Sequence, residues 1–216
     1  MIDPHAGQPV VSAGLPLSDA HAVVILIHGR GAAPQSILEL VPRLDRGQLA
    51  FLAPAAAGGT WYPLSFLADR EKNEPFLSSA LRRIDAIVAE LISAGTPPNR
   101  IILMGFSQGA CLATEFVYRH PRPYGGLVAF SGGLVGPPGT TWTATADFGG
   151  TAVFLGCSDV DPHVPQSRVA ETAAVFARLG AEVIERIYPG MGHLVSDDEI
   201  VHAQKVIDRL LTIPAV

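Results

Sequence analysis

The sequence holds little charge, only two cysteines and no long apolar run. Of its 216 residues, 16% are charged, and the net charge of −5 is spread along the chain without blocks of like sign. This pattern argues against a nucleic-acid surface or a polybasic membrane patch. The cysteines, Cys111 and Cys157, lie far apart in apolar surroundings, so neither a disulfide framework nor a zinc site is indicated. No apolar stretch reaches the roughly 18 residues that cross a bilayer.

The sequence does contain enough apolar material for a full-sized core. Hydrophobic side chains make up 48% of the chain, and its length predicts a single domain over residues 1–216. The first residues, MIDPHAGQPV, carry an acid and proline where a secretory signal would carry basic residues and an apolar run. We therefore expect a soluble, unexported, cytoplasmic protein that takes a small-molecule partner and whose chains could pair as a homodimer.

Short apolar runs rich in β-branched residues alternate with segments in which apolar residues recur every three or four positions. The alternation is typical of βαβ units, so we predict an α/β fold with a mostly parallel central sheet covered by helices. The predicted strands are residues 23–28, 49–53, 101–106, 126–131, 151–156 and 183–188. The predicted helices are residues 34–44, 75–93, 108–118, 165–179 and 196–211.

Two stretches depart from this alternation. Residues 54–74 and 132–150 are rich in glycine, proline and threonine or aromatic residues, and each follows a predicted strand. Ligands of open α/β sheets bind at the carboxyl ends of the strands, so both stretches are candidates for the walls of a pocket. For residues 132–150 an irregular surface connection is an equal alternative.

One pentapeptide, Gly105-Phe106-Ser107-Gln108-Gly109, has the Gly-x-Ser-x-Gly pattern and joins a predicted strand to a predicted helix. In that position the serine oxygen stands clear of the backbone on a sharp turn, and glycine on each side relieves the crowding. The N–H groups that open the helix point at the place where an oxyanion would form. We predict that Ser107 is a catalytic nucleophile.

A serine nucleophile needs a histidine to accept its proton. In this arrangement the partners follow the serine, which leaves His120, His163, His193 and His202. His120 ends the helix that Ser107 begins, about 20 Å away, and His202 lies inside the last predicted helix. His193 follows the last strand on a glycine-containing loop, PGMGH, and is the predicted base.

The acid that orients the histidine is expected on the loop after the preceding strand, where the sequence offers Asp159 and Asp161. Counting forward from Gly156 favours Asp159, whereas counting back from the next helix favours Asp161. We prefer Asp161, because proline follows it and fixes it relative to that helix. The spacing of Asp159, Asp161 and His163 also resembles a metal site, but no further ligand cluster supports one, so no metal is expected.

Two backbone N–H groups are expected to bind the oxyanion. The first belongs to Gln108, the residue after the nucleophile. The second should come from the loop after an early strand, where the sequence has His28-Gly29-Arg30-Gly31. We assign it to Arg30, with Gly31 as the alternative.

The motifs HGRGA, GFSQGA, DPHVP and PGMGH, in this order, resemble the carboxylesterase/phospholipase family of α/β-hydrolases, which includes the acyl-protein thioesterases. The resemblance runs over residues 23–211. It implies a three-layer α/β-hydrolase sandwich with no separate cap domain, a triad of Ser107, Asp161 and His193, and cleavage of esters or thioesters without a cofactor. It also implies that Trp61 lies near the acyl pocket, and packing within its own loop is an equal alternative for this residue.

Two departures from the family pattern bear on the substrate. The acid loop is two residues longer than usual, which underlies the choice between Asp159 and Asp161. Arg30 replaces a leucine often found in relatives, and so places a cation beside the predicted oxyanion site. We therefore expect small to medium carboxylic esters, with thioesters and lysophospholipids as further candidates.

Two other functions fit parts of the pattern. A dienelactone-type hydrolase would carry cysteine rather than serine in the pentapeptide. A non-catalytic binding module on a hydrolase scaffold would not need a complete set of nucleophile, base and acid. The sequence therefore favours an esterase.

Overall fold

The computed structural model describes residues 3–212, which form a seven-stranded sheet with helices on both faces. Its strands are β1 Val10–Gly14, β2 Ala22–Ile27, β3 Leu49–Pro54, β4 Ile101–Phe106, β5 Gly126–Phe130, β6 Ala152–Ser158 and β7 Glu182–Tyr188. They lie in the order β1-β3-β2-β4-β5-β6-β7. Strand β1 is antiparallel to β3, and the other neighbouring pairs are parallel.

The six parallel strands correspond to the six predicted ones, whereas β1 was not predicted. Its sequence, VVSAG, has one short apolar pair, and its residues are half-buried or exposed because it lies at the edge of the sheet. A single apolar pair in five residues does not distinguish a strand from irregular chain.

The helices are α1 Pro34–Leu38, α2 Val41–Leu44, α3 Phe76–Ser93, α4 Gln108–Arg119, α5 Gln166–Arg178 and α6 Asp197–Thr212. The prediction of one helix over residues 34–44 was wrong, because Pro42 cannot continue a helix that begins at Pro34. Proline lacks the N–H for the helical bond and its ring clashes with the preceding turn, so a second helix starts there instead. Within residues 3–212, no helix combines the length and apolar character needed to cross a membrane.

The two faces of the sheet build two apolar cores. Side chains of β2 alternate between them: Val23, Ile25 and Ile27 pack with α3, α4 and α5. Their neighbours Val24 and Leu26 pack with α1, α2 and α6. Full burial of such a side chain stabilises the fold by about 1.5–3 kcal/mol. Burial on both faces explains why the central strands, β2 to β6, are continuous apolar runs in the sequence.

Strand order reverses between β2 and β4, which are neighbours although β3 separates them in sequence. At such a switch point the loops that follow the two strands diverge to opposite sides and leave a crevice at the carboxyl edge. The loop after β2 begins at His28, and the turn after β4 contains Ser107. The fold thus brings the predicted oxyanion loop and the predicted nucleophile to one edge.

Candidate active site

Ser107 occupies a sharp turn between β4 and α4. Its backbone has φ of 55° and ψ of −121°, a conformation that residues other than glycine rarely adopt. Its N–H donates to the carbonyl of Phe130 at the end of β5, at 2.9 Å, which ties the turn to the sheet. A Cβ on Gly105 would overlap the Gly109 carbonyl, and one on Gly109 would overlap the carbonyl oxygen of Ile27. Both glycines are therefore required by space.

Gly109→Ala is expected to destabilise the protein by about 3 kcal/mol or to prevent folding, since the added methyl group would be driven into the backbone of β2. Urea unfolding measures the loss. Gly192→Ala is the matched control, because its Cβ would meet nothing closer than a Leu194 methyl at 4.0 Å. Equal stability of the two variants would contradict the close approach of α4 to β2.

His193 lies between Ser107 and Asp161. Its Nε2 is 2.8 Å from Ser107 Oγ, and its Nδ1 is 2.6 Å from Asp161 Oδ2. A carboxylate only accepts hydrogen bonds, so Nδ1 carries the proton and Nε2 is free to accept the serine proton. The Phe106 ring packs against the imidazole at 4.9 Å between centroids. The geometry is that of a base held in the tautomer suited to activate a serine.

The Asp161 carboxylate is fully buried and well supplied with donors. Its Oδ1 accepts the N–H groups of His163 at 2.8 Å and Val164 at 3.0 Å, while Oδ2 faces His193. Burial alone would raise the pKa of Asp161, but the hydrogen bonds from His193 and the two backbone groups outweigh it and hold that pKa below its ordinary value. The carboxylate is therefore ionised at neutral pH.

Asp159, the alternative acid, occupies a different position on the same loop. Its Oδ1 accepts the N–H of Gly190 at 2.8 Å, and its own N–H donates to the Tyr188 carbonyl at 3.2 Å. It thus contacts the backbone of the loop that carries His193, not the imidazole. Over residues 3–212, no group of three or more His, Cys, Asp or Glu side chains is arranged to hold a metal ion.

The predicted oxyanion donors lie at the start of α4 and after β2. Gln108 is the first residue of α4, so its N–H has no acceptor within the helix. The N–H of Gly31, the alternative second donor, already donates to the Gly59 carbonyl at 2.7 Å. Within the described chain, the N–H of Arg30 donates to no protein acceptor. Both residues border the crevice beside Ser107, and neither N–H group donates to a backbone acceptor in the described residues.

The side chains of the same two residues hold the loop that follows β3. Gln108 accepts the N–H of Trp61 at 2.9 Å and donates to the Tyr62 carbonyl at 2.8 Å. The Arg30 guanidinium donates to the carbonyls of Pro63 at 2.6 Å and Leu64 at 2.5 Å. The Arg30 cation, which the sequence placed beside the oxyanion site, therefore binds carbonyls of the loop after β3 and stabilises that wall of the pocket.

Of the two roles considered for Trp61, the structure has the packing one, because Trp61 does not line the pocket. Its side chain is fully buried, its Nε1–H donates to the His28 carbonyl at 2.9 Å, and its ring packs between His5 and His28. In this position the apolar part of the indole is buried and its one polar group has a hydrogen-bond partner. The next residue, Tyr62, borders the cavity instead.

A cavity of about 690 Å³ opens beside Ser107 and His193. Its lining is mainly apolar, and includes Ile37, Leu40, Leu64, Phe66, Phe106 and Val195. His163 also borders it, with its ring edge-on to that of His193 at 4.9 Å. Of these lining residues, Leu64 and Phe66 belong to the stretch 54–74 for which the sequence predicts a pocket wall. The others were not predicted, and His163 was considered only as a base or a metal ligand, because their convergence depends on how distant segments pack.

Comparison with known proteins gives a consistent result. A model of the Phospholipase/Carboxylesterase family matches residues 8–211. Among solved structures, a phospholipase/carboxylesterase from Dyadobacter fermentans DSM 18053 superimposes with a TM-score of 0.89 at 38% sequence identity. The match covers 93% of this chain and 97% of that one. Sequence and fold therefore point to the same group of proteins.

Two relatives extend the comparison to other organisms. The Probable carboxylesterase SOBER1-like of Arabidopsis thaliana is 28% identical over 201 residues, which span 85% of this chain and 76% of that protein. Acyl-protein thioesterase 1 of Saccharomyces cerevisiae is 32% identical over 143 residues, which span 65% of this chain and 62% of that protein. Similar chains thus carry names for oxygen-ester and thioester hydrolysis alike.

Proposed function

The chain belongs to the phospholipase/carboxylesterase family of hydrolases, and we propose that it is a serine carboxylesterase with Ser107 as its nucleophile. Its fold is the predicted α/β-hydrolase sandwich, a mostly parallel sheet between two layers of helices. The observation that carries the proposal is the chain of two hydrogen bonds from Ser107 through His193 to Asp161. A serine without such partners is a weak nucleophile at neutral pH.

In the first half of the reaction, Ser107 Oγ attacks the carbonyl carbon of the ester while His193 Nε2 takes the hydroxyl proton. Asp161 stabilises the resulting imidazolium. The N–H groups of Gln108 and Arg30 bind the oxyanion of the tetrahedral intermediate. When that intermediate collapses, the imidazolium gives its proton to the departing alcohol or thiol, and the acyl group remains on Ser107.

In the second half, water replaces the leaving group beside His193. Nε2 removes a proton from the water as its oxygen attacks the acyl carbon, and the same donors bind the second oxyanion. Collapse then breaks the bond to Ser107, whose oxygen takes the proton back from His193. The products are a carboxylic acid and the free enzyme, and no cofactor takes part in the sequence of steps.

The cavity supports substrates of small to medium size. A volume of about 690 Å³ lies within the range of sites that enclose one drug-sized ligand, and its apolar lining suits an acyl chain. Oxygen esters and thioesters share the same attacked carbonyl, so the mechanism serves both. Lysophospholipids remain a further candidate class.

A panel of nitrophenyl esters from acetate to palmitate, with matched thioesters, tests this proposal. We expect turnover of the short and medium esters, with kcat/KM falling from octanoate to palmitate as the chain outgrows the cavity. A fluorophosphonate probe should label wild-type protein at Ser107. Absence of both turnover and labelling would overturn the proposal in favour of a non-catalytic binding module.

A cysteine nucleophile of the dienelactone type has no support in the structure. Cys111 borders the cavity but is buried, and burial raises the pKa of its thiol to about 12. Burial likewise raises the pKa of Cys157 to about 12. The thiolate is the reactive form of cysteine, so both thiols are unreactive near neutral pH.

A further inference from the structure

The loop that carries His193 runs from the end of β7 to the start of α6. Among the described residues, its backbone is tied at the beginning by the bond from Gly190 to Asp159 and in the middle by a bond from Leu194 to the Gly192 carbonyl at 3.0 Å. The next tie lies at the far end of the loop, where α6 begins. What holds that end helps to decide where the imidazole lies.

Ser196 forms that end, and Glu199 holds it. The Ser196 N–H donates to Glu199 Oε2 at 2.7 Å, and its hydroxyl donates to the same oxygen at 3.0 Å. In return, the Glu199 N–H donates to Ser196 Oγ at 3.3 Å. This reciprocal arrangement is a capping box, which fixes the chain where it enters a helix. Ser196 cannot shift without breaking several hydrogen bonds.

Glu199 is buried to a degree that capping does not require. Its side chain is 0% exposed, whereas those of Asp197 and Asp198 in the same turn are 96% and 58% exposed. In the described part of the chain, Oε1 has no hydrogen-bond partner, and it lies against Gly156 of β6, where an added Cβ would overlap it. Burial raises the pKa of Glu199, hydrogen bonds from Ser196 oppose the rise, and the charges of nearby acids add to it.

The contact with Gly156 connects Glu199 to the acid loop. Cys157 follows Gly156 in β6, and its Sγ lies 3.8 Å from Asp161 Oδ2. One face of the buried carboxyl group therefore meets the end of the histidine loop, and the other meets the strand that leads to Asp161. A single side chain spans the two segments that must meet for His193 and Asp161 to bond.

We propose that Glu199 is a positioning residue that sets His193 against Asp161 from behind the site. The inference rests on the proposed function, because it takes Ser107, His193 and Asp161 as the reacting groups. Glu199 touches none of the reacting atoms and acts through Ser196 and Gly156. Displacements of about 1 Å in a catalytic arrangement can cost about 10²-fold in rate.

Kinetics of Glu199→Ala and Glu199→Gln in the full chain test the proposal. With nitrophenyl butyrate, Glu199→Ala should lower kcat by about 10- to 100-fold with KM little changed, because binding contacts remain while the base is displaced. Glu199→Gln should restore kcat close to the wild-type value, since its amide oxygen can accept both hydrogen bonds from Ser196. Ser196→Ala, which removes only a partly exposed hydroxyl, should give a smaller loss of kcat.

Val206→Ala is the matched control, because Val206 is a buried residue of α6 that packs in the core beneath the sheet. It loosens the same helix without touching Ser196 or Gly156. All variants are compared well below their unfolding temperatures. Ser107→Ala is measured in parallel, so that failure of the proposed function is seen separately, as turnover that does not depend on Ser107.

Two outcomes would overturn the positioning role while leaving the esterase proposal intact. The first is a kcat of Glu199→Ala no lower than that of Val206→Ala. The second is a Glu199→Gln variant as slow as Glu199→Ala, because the hydrogen bonds to Ser196 would then not be what matters. If Glu199→Ala does not fold, an unchanged kcat in Ser196→Ala overturns the proposal in its place.

Discussion

Ser107→Ala is expected to lower kcat on a nitrophenyl ester by at least about 10³-fold, and toward the roughly 10⁶-fold loss seen when serine triads lose their nucleophile. Without Oγ no acyl-enzyme forms, and His193 has no hydroxyl proton to accept. The cavity walls and both oxyanion donors stay in place, so KM should change little. Steady-state kinetics with purified protein measure both constants.

Ser36→Ala is the matched control for this prediction. Ser36 borders the same cavity, but its hydroxyl donates to the Ala33 carbonyl at 2.7 Å and faces no base. It should retain wild-type kcat and fluorophosphonate labelling, whereas Ser107→Ala should lose both. Turnover in Ser107→Ala within about 10-fold of wild type would remove Ser107 from the mechanism.

The fold could be predicted from the sequence where burial leaves a pattern. Five of the six parallel strands, β2 to β6, are buried and therefore appear as short apolar runs, whereas β7 is largely exposed at the other edge of the sheet. The half-exposed β1 leaves no such pattern. The break between α1 and α2 could have been predicted from Pro42, because proline is disfavoured inside a helix.

The site could be predicted only as far as local sequence determines geometry. The turn at Ser107 is encoded by the glycines around it, and the structure brings His193 within hydrogen-bonding distance. Asp159 and Asp161 lie two positions apart on one loop, and both have carboxylates able to accept a backbone or imidazole N–H. Which of them meets His193 depends on how the acid loop and the histidine loop pack, a contact between distant segments.

Side-chain direction in irregular loops was the least predictable feature. The loop containing Trp61 does form a wall of the cavity, yet the indole points into the core and Tyr62 faces the cavity. Irregular backbone has no period from which facing residues can be counted. The spacing of Ser196 and Glu199, by contrast, indicates a capping box from the sequence alone. The burial of Glu199 against Gly156 is visible only in the three-dimensional structure.

Asp161→Asn is expected to lower kcat by about 10³- to 10⁴-fold with little change in KM. Two backbone N–H groups, from His163 and Val164, both donate to Oδ1. They should hold the amide oxygen at that position, which leaves the amide NH₂ facing His193 Nδ1. The imidazole must then accept at Nδ1 and carry its proton on Nε2, so it can no longer take the proton of Ser107.

Asp159→Asn is the control, because the two aspartates lie on one loop but accept hydrogen bonds from different groups, a backbone N–H for Asp159 and the imidazole for Asp161. The bond from the Gly190 N–H to Asp159 needs only an acceptor oxygen, which asparagine supplies, so kcat should stay close to that of wild type. Comparing kcat of the two variants on one ester decides between them. A large loss in Asp159→Asn with activity retained in Asp161→Asn would transfer the acid to Asp159, and would require the histidine loop to adopt another arrangement during turnover.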